Sequence, residues 1–216
     1  MDFWRRFQLC GSRFFDKVSN VSYIILHTGK TFDMSKIFTP NEAAALIEIS
    51  PKRIYKEIEH RIIPAVTPNR DRLSFGTLVY LRALKEINFD LSVSYRIHLH
   101  EALQTAWEQQ VSTLEFGKFF TLKVSEIGQE LQTLIDRFEA WKARLVSNPH
   151  ILGGEVTFPD SRLSVQRIGG CLARGETLEV LREDYPYLTD EDFAFAQIYV
   201  KAYPIQGRPK LDEVYN

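Results

Sequence analysis

Cysteine is almost missing from this chain: only Cys10 and Cys171 occur in 216 residues, far apart and without partners at metal-ligand spacing. That excludes a disulfide framework and a thiolate zinc site, and it suits a reducing compartment, so a cytoplasmic location is expected. A surplus of charge of either sign is missing too. With a formal net charge of -1 and a pI near 6.5, no whole-chain basic field draws the protein onto nucleic acid or an anionic membrane. Any affinity for DNA must come from a local patch. Long hydrophobic runs are lacking: residues 21–26, the longest apolar stretch near the N-terminus, are interrupted by polar residues and fall far short of the roughly 20 that span a bilayer. The pattern predicts neither a transmembrane helix nor a signal peptide.

Catalytic constellations are also lacking. His27, His60, His98, His100 and His150 are scattered, and His98 and His100, two apart, do not share a helix face. There is no HExxH, no phosphate-cradling glycine loop and no nucleophile elbow, and Gly153-Gly154 and Gly169-Gly170 read as turn or close-packing positions. A protein without enzymatic activity, metal or cofactor is expected.

What is present is ordinary globular composition, 44% hydrophobic and 25% charged, at a length that suits two modest domains. Residues 1–33 are rich in Phe but show neither sustained alternation nor a helical stripe, which predicts weak order. At Met34 the text becomes that of a compact domain, and translation is expected to start there.

Thr39-Pro40-Asn41-Glu42 places a hydroxyl at N-cap, Pro at the first helical position and Glu at N3, a capping box that opens a helix at Pro40. Ser50-Pro51 repeats the signal and opens a second helix to about Arg61, with Ile54 and Ile58 facing inward. Two short helices across a tight turn make a helix-turn-helix. Ser50, Lys52, Arg53, Tyr55 and Lys56 lie near the start of the second helix, where recognition helices meet base edges and phosphates. Residues 52–72 carry six Lys or Arg against three acids. Segments 62–66 and 72–75 flank a turn-rich stretch and predict a hairpin wing that brings Arg70 and Arg72 to the DNA backbone, with Arg61 contributing from the helix end. Ser74 then caps another helix with Leu78, Leu81 and Leu84 inward.

Further on, residues 93–110 predict a helix, residues 118–124 a short strand, and Ser125 the cap of a long helix with an apolar stripe from Ile127 through Trp141 to Leu145. That stripe packs against the chain itself or shares in a homodimer interface. The C-terminal segment predicts three helices: one carrying Ile168, Cys171 and Leu172 and stopping at Gly175; one capped by Thr177 with Leu178, Val180, Leu181 and Tyr185 apolar; and one opened by Thr189-Asp190-Glu191-Asp192. Residues 176–192 hold seven acids and one base, a surface that repels phosphate and faces solvent or a basic partner.

The fold class expected is mainly α: a winged helix-turn-helix, a linking strand and long helix, and a C-terminal three-helix domain. The matching boundaries are an extension over 1–33, a DNA-binding domain over 34–90, connecting elements over 91–148, the three-helix domain over 149–203 and a mobile tail over 204–216.

Two resemblances sharpen this. The run FTPNEAAALIEISPKRIYKEIEHRIIP, within a similarity covering about residues 36–84, resembles the helix-turn-helix of MerR-like regulators and of VapB-type antitoxins. The run from Gly153-Gly154 through Arg162-Leu163-Ser164-Val165, Gly175-Glu176 and Asp184-Tyr185-Pro186-Tyr187-Leu188-Thr189 resembles the bacterial domain-of-unknown-function family 433. It departs from that family at Asp160-Ser161-Arg162, where Gly-Thr-Arg is usual. Together the resemblances imply an antitoxin that neutralises a PIN-like ribonuclease toxin and represses its own operon by binding double-stranded promoter DNA as a homodimer. On that reading Arg208 and Lys210, in the tail, reach into a carboxylate-lined toxin site. A stand-alone MerR-like regulator is the alternative, and a protein-interaction adaptor the third.

Overall fold

The computed structural model describes residues 13–15, 21–24, 36–64, 72–87, 90–117 and 120–205, the first two stretches by backbone alone. It is mainly helical: among the described residues, eight α-helices stand beside strands of two to four residues. The chain divides into two compact units, residues 1–137 and 138–216. The division falls inside a 19-residue helix, not at 90/91 or 148/149 where the sequence pattern changes.

The first unit holds, in order, β1 (Arg13–Phe15), β2 (Val21–Ile24), β3 (Ile37–Phe38), α1 (Pro40–Ile47), α2 (Pro51–Glu59), β4 (Leu73–Ser74), α3 (Phe75–Glu86), α4 (Val93–Glu108), β5 (Thr113–Phe116), β6 (Phe120–Leu122) and most of α5 (Val124–Lys142). β1, β2, β5 and β6 form an antiparallel sheet in that order, with Val21 opposite Phe116 and Phe116 opposite Phe120. Two strands thus lie in the segment where the sequence predicts weak order. β1 pairs with β2, and β2 pairs with β5, about ninety residues on, a partner that no local periodicity announces. The break at Phe116-Gly117 is where β5 turns towards β6, with Gly117 at φ 69°.

Helix starts follow the local sequence closely. Thr39 and Glu42 form the capping box, Ser74 accepts from the Thr77 amide, and Ser92 accepts from the Tyr95 amide. The long helix starts one residue earlier than its Ser125 signal, at Val124, because that fully buried side chain anchors the first turn. α4 belongs to the core of this unit rather than to a connector: Leu99, Leu103 and Ala106 are buried beside Leu78 and Leu81 of α3. Gln104 Nε2 donates to Ser74 Oγ at 3.1 Å and Thr77 Oγ1 at 2.9 Å, tying α4 to the start of α3. Trp107 stacks on Phe75 with ring centroids 4.7 Å apart, and a Cβ at Gly128 would lie 2.2 Å from the Trp107 ring, so α5 passes this indole only because residue 128 has no side chain.

His100 is buried in the same layer, edge-on to Tyr80 with centroids 5.0 Å apart. Burial disfavours its charged form and pushes its pKa down to about 4. The unfolded chain therefore takes up a proton first as pH falls. Stability from this residue is full above about pH 6.5 and is lost towards pH 4, about 3 kcal/mol in all. Urea midpoints measured from pH 7 to 4 should fall less steeply in His100→Gln than in the wild type; parallel curves would show that His100 does not stay neutral.

The second unit holds the end of α5, β7 (Val146–Ser147), a 3-10 turn at Leu152–Gly154, β8 (Val156–Thr157), α6 (Val165–Ala173), α7 (Leu178–Asp184) and α8 (Asp190–Ala202). β7 and β8 pair antiparallel, a ribbon the sequence pattern did not predict, and Thr157 bridges on to Ser164, the N-cap of α6. The centre is aromatic: Trp141, Phe138, Phe158 and Phe195 are all buried in mutual ring contact. α6 lies against α8 at Gly169, where a Cβ would come within 2.4 Å of the Ala196 carbonyl oxygen. α7 buries one side chain. Leu181 is buried, but Leu178 and Val180 are 38% and 49% exposed, because seven helical residues present only one narrow face to the unit.

Candidate nucleic-acid interface

α1 and α2 are joined across residues 48–50. Glu48 turns the chain in the left-handed region at φ 58°, and the Ile49 amide closes back on the Ala44 carbonyl at 3.0 Å. α1 is the buried partner: Ala43, Ala44, Ala45, Leu46 and Ile47 are all inside, and small side chains let α2 come close. α2 is amphipathic, with Ile54 fully buried and Lys52, Arg53, Tyr55 and Lys56 exposed. Lys52, Tyr55 and Lys56, spaced i, i+3 and i+4, form one ridge over its first two turns. Ser50 occupies the N-cap of α2 and is exposed, and its side chain makes no capping bond.

Arg53 faces differently from the ridge. Its Nη2 donates to the Leu84 carbonyl at 3.1 Å, so it fastens α2 to the end of α3. The predicted inward partner of Ile54 also changes: Glu57 is 1% exposed, whereas Ile58 is half-buried. Glu57 accepts from the Tyr80 hydroxyl at 2.9 Å and forms a tight ion pair with Arg96 of α4. Burial, then the Glu57 carboxylate, raises the Tyr80 pKa far above the ordinary phenol range, so its proton stays on to serve this bond. α2 is thus clipped to α3 and α4 by two polar side chains, and its pose relative to this unit's core is set by them.

α2 ends at a left-handed Arg61, φ 57°, with the Ile62 amide bonded to Glu57 O and the Arg61 amide to Ile58 O, both at 2.9 Å. This is the Schellman arrangement, here with an arginine where glycine is usual. It turns Ile62 and Ile63 into the core. The strand expected over residues 62–66 is therefore replaced, over its first half, by a helix-ending turn. The pairing of residues 72–75 is corrected as well: β4 pairs with β3, Ile37 opposite Ser74 and Phe38 opposite Leu73. Arg72 stands half-buried just before β4. Arg70 in the intervening loop, and Arg208 and Lys210 in the tail, lie outside the described residues.

Beside α2 the structure shows a cleft of about 650 Å³ that the sequence reading missed, lined by Arg53 and Lys56 of α2, Lys85 of α3 and Arg96 of α4 together with Glu57 and Asp90. One signal for it was available. An acid three residues after Ile54 falls on the inward face of α2, and a buried acid demands a cationic partner. In the second unit, Asp192 is the comparable buried acid. It accepts from Trp141 Nε1 at 2.8 Å and from the Thr189 amide at 2.9 Å. Burial works to raise its pKa, but the Thr189, Trp141 and Arg144 donors outweigh it and hold the carboxyl below its usual range. Among the described residues no group of His, Cys, Asp and Glu is placed to hold a metal ion, and no helix is long and apolar enough to cross a membrane.

Fold and surface therefore define a mainly helical protein in which one unit carries a helix with a cationic face, packed on α1, and the other unit is helical and acid-rich. Residues 145–200, from just before β7 into α8, match the family model described as "Protein of unknown function (DUF433)", so the second unit carries a DUF433 domain. The chain is 23% identical over 194 residues to "Uncharacterized protein y4eO" of Sinorhizobium fredii (strain NBRC 101917 / NGR234), a similarity covering 82% of this chain and 86% of that protein. It is also similar to the X-ray crystal structure of Rv2018 from Mycobacterium tuberculosis, at 15% identity and a TM-score of 0.26, across 74% of this chain and 96% of that one.

Proposed function

We propose that the protein binds double-stranded DNA with α2 as its recognition helix, and that it is the antitoxin of a toxin-antitoxin pair, repressing its own operon and neutralising a PIN-like ribonuclease. The observation that carries the DNA reading is the exposed ridge of Lys52, Tyr55 and Lys56 at the start of a helix packed across a tight turn on α1. Ser50, the N-cap of the same helix, adjoins it as a phosphate-positioning group, Arg72 is assigned the same role, and Arg53 supports the ridge from behind. A local excess of three positive charges over residues 52–72 is small for one copy, and a homodimer on a two-fold operator doubles it. The antitoxin reading draws on the DUF433 domain, on the resemblance to VapB-type antitoxins, and on an acidic stretch over 176–192 that suits a basic protein partner better than phosphate.

Fluorescence anisotropy with the upstream promoter tests the first part. Lys52→Ala together with Lys56→Ala should weaken binding at least tenfold and lower the magnitude of the salt slope by about 2, one for each lost phosphate contact or close approach. Unchanged affinity and slope would sink the recognition-helix assignment. Co-purification of a PIN-like protein encoded next to this chain separates the antitoxin from a stand-alone MerR-like regulator, which would bind the promoter alone.

A further inference from the structure

We infer that the cleft between α2, the end of α3 and the start of α4 is a binding site for a small organic anion carrying at least two negative charges, of the phosphomonoester or dicarboxylate class. The inference goes beyond the DNA-binding reading and does not depend on it. Four cations, Arg53, Lys56, Lys85 and Arg96, line a cleft of about 650 Å³, within the roughly 300–1,000 Å³ of small-molecule sites. Glu57 and Asp90 oppose them; Glu57 is paired with Arg96 and Glu48 with Lys85, so among the described residues Arg53 and Lys56 are the lining cations without an ion pair.

Donor capacity remains after the internal bonds are made. Arg96 uses Nη1 on Glu57, while its Nε is buried with no hydrogen-bond partner. A buried donor left unpaired costs about 1–3 kcal/mol, so this guanidinium is under-satisfied beside the cleft. Arg53 commits one Nη to the Leu84 carbonyl and Lys85 commits two bonds to Ile47 O and Glu48 Oε2, leaving each with further N–H groups. Lys56 forms no ion pair among the described residues. Two guanidinium groups in one cleft suit the planar or tetrahedral oxygens of carboxylate and phosphate, which accept two parallel N–H bonds. Asp90 and Leu91 lead directly into the Ser92-capped first turn of the 16-residue α4, whose amide end adds to the positive potential. Because Lys56 belongs both to this lining and to the exposed ridge of α2, a bound anion would draw on a charge that the ridge offers to DNA.

Thermal unfolding and isothermal titration of the full chain, without DNA, test the site. The probes are inorganic phosphate, adenosine monophosphate and succinate, each against sodium chloride at matched ionic strength. At a hundredfold excess over Kd, at least one should raise Tm by roughly 5 °C or more, and the three arms tell phosphate from carboxylate recognition. Lys85→Gln should weaken that probe at least tenfold, and Leu91→Trp, which fills the rim without removing a charge, should abolish its binding. No stabilisation beyond sodium chloride by any probe would overturn the site, as would a Kd unchanged in both variants. Because DNA is absent, failure here leaves the promoter result standing, and failure on the promoter leaves this one standing.

Discussion

Replacing Arg96 by alanine is expected to destabilise the first unit by about 3–5 kcal/mol, one of the two largest effects of any single substitution considered for this chain. The reason is the carboxylate it leaves behind. Glu57 is 1% exposed, and without Arg96 its remaining partner in this cluster is the Tyr80 hydroxyl, which cannot neutralise a charge. The pair itself is not a large net gain, because two ions must be stripped of water to form it. The triple change Glu57→Leu, Tyr80→Phe and Arg96→Leu should therefore restore most of the loss, while Tyr80→Phe alone should cost about 1–3 kcal/mol. Urea unfolding followed by circular dichroism measures all three. A loss below 1 kcal/mol in Arg96→Ala would mean that water reaches Glu57 freely. In a variant that stays folded, promoter affinity should also fall, since Glu57 and Arg53 are the side chains that fix how α2 is presented.

Trp141→Ala should destabilise the second unit by about 3–5 kcal/mol. Trp141 is buried among Phe138, Phe158, Phe195 and Tyr199, and its removal opens a hole that rigid rings fill poorly. It also strips a donor from Asp192, which starts α8 through its capping box with Thr189. Trp141→Phe separates the two contributions: it keeps much of the apolar volume and loses the N–H. Asp192 has a depressed pKa in the folded state, so its share of stability is full above the unfolded carboxyl pKa, near 4, and disappears as pH falls below it. The difference between wild type and Trp141→Phe should accordingly shrink from pH 7 to pH 3. A constant difference would assign the whole effect to packing.

The Arg96–Glu57 pair shows why the candidate site was only half legible in the sequence. The basic ridge of α2 needs nothing but helical phase: Ser50-Pro51 starts the helix, Ile54 points in, and Lys52, Tyr55 and Lys56 must then point out. Arg53 sits next to them in sequence, yet its use depends on where the last carbonyls of α3 lie, thirty-one residues away. Ile58 was expected inward and Glu57 is there in its place, because Arg96 and Tyr80 are positioned to receive it. Leu178, Val180 and Leu181 are alike in being apolar, yet Leu181 alone of the three is buried, since burial depends on what is opposite.

By itself, the sequence determined the helices and most of their starts, α5 excepted. Thr39, Ser74, Ser92, Thr177 and Thr189 each accept a backbone N–H three residues on, within a single turn, and such bonds form with little regard to the rest of the chain. It also determined the contrast between a basic second helix and an acidic stretch at 176–192, because charge is a property of composition. Tertiary structure alone decided that β4 pairs with β3, that β2 pairs with β5, that α4 packs into the first unit, and that four cations surround one cleft. Those outcomes join residues tens of positions apart. Loop closure makes such contacts unfavourable one at a time, and they persist because the core forms them together.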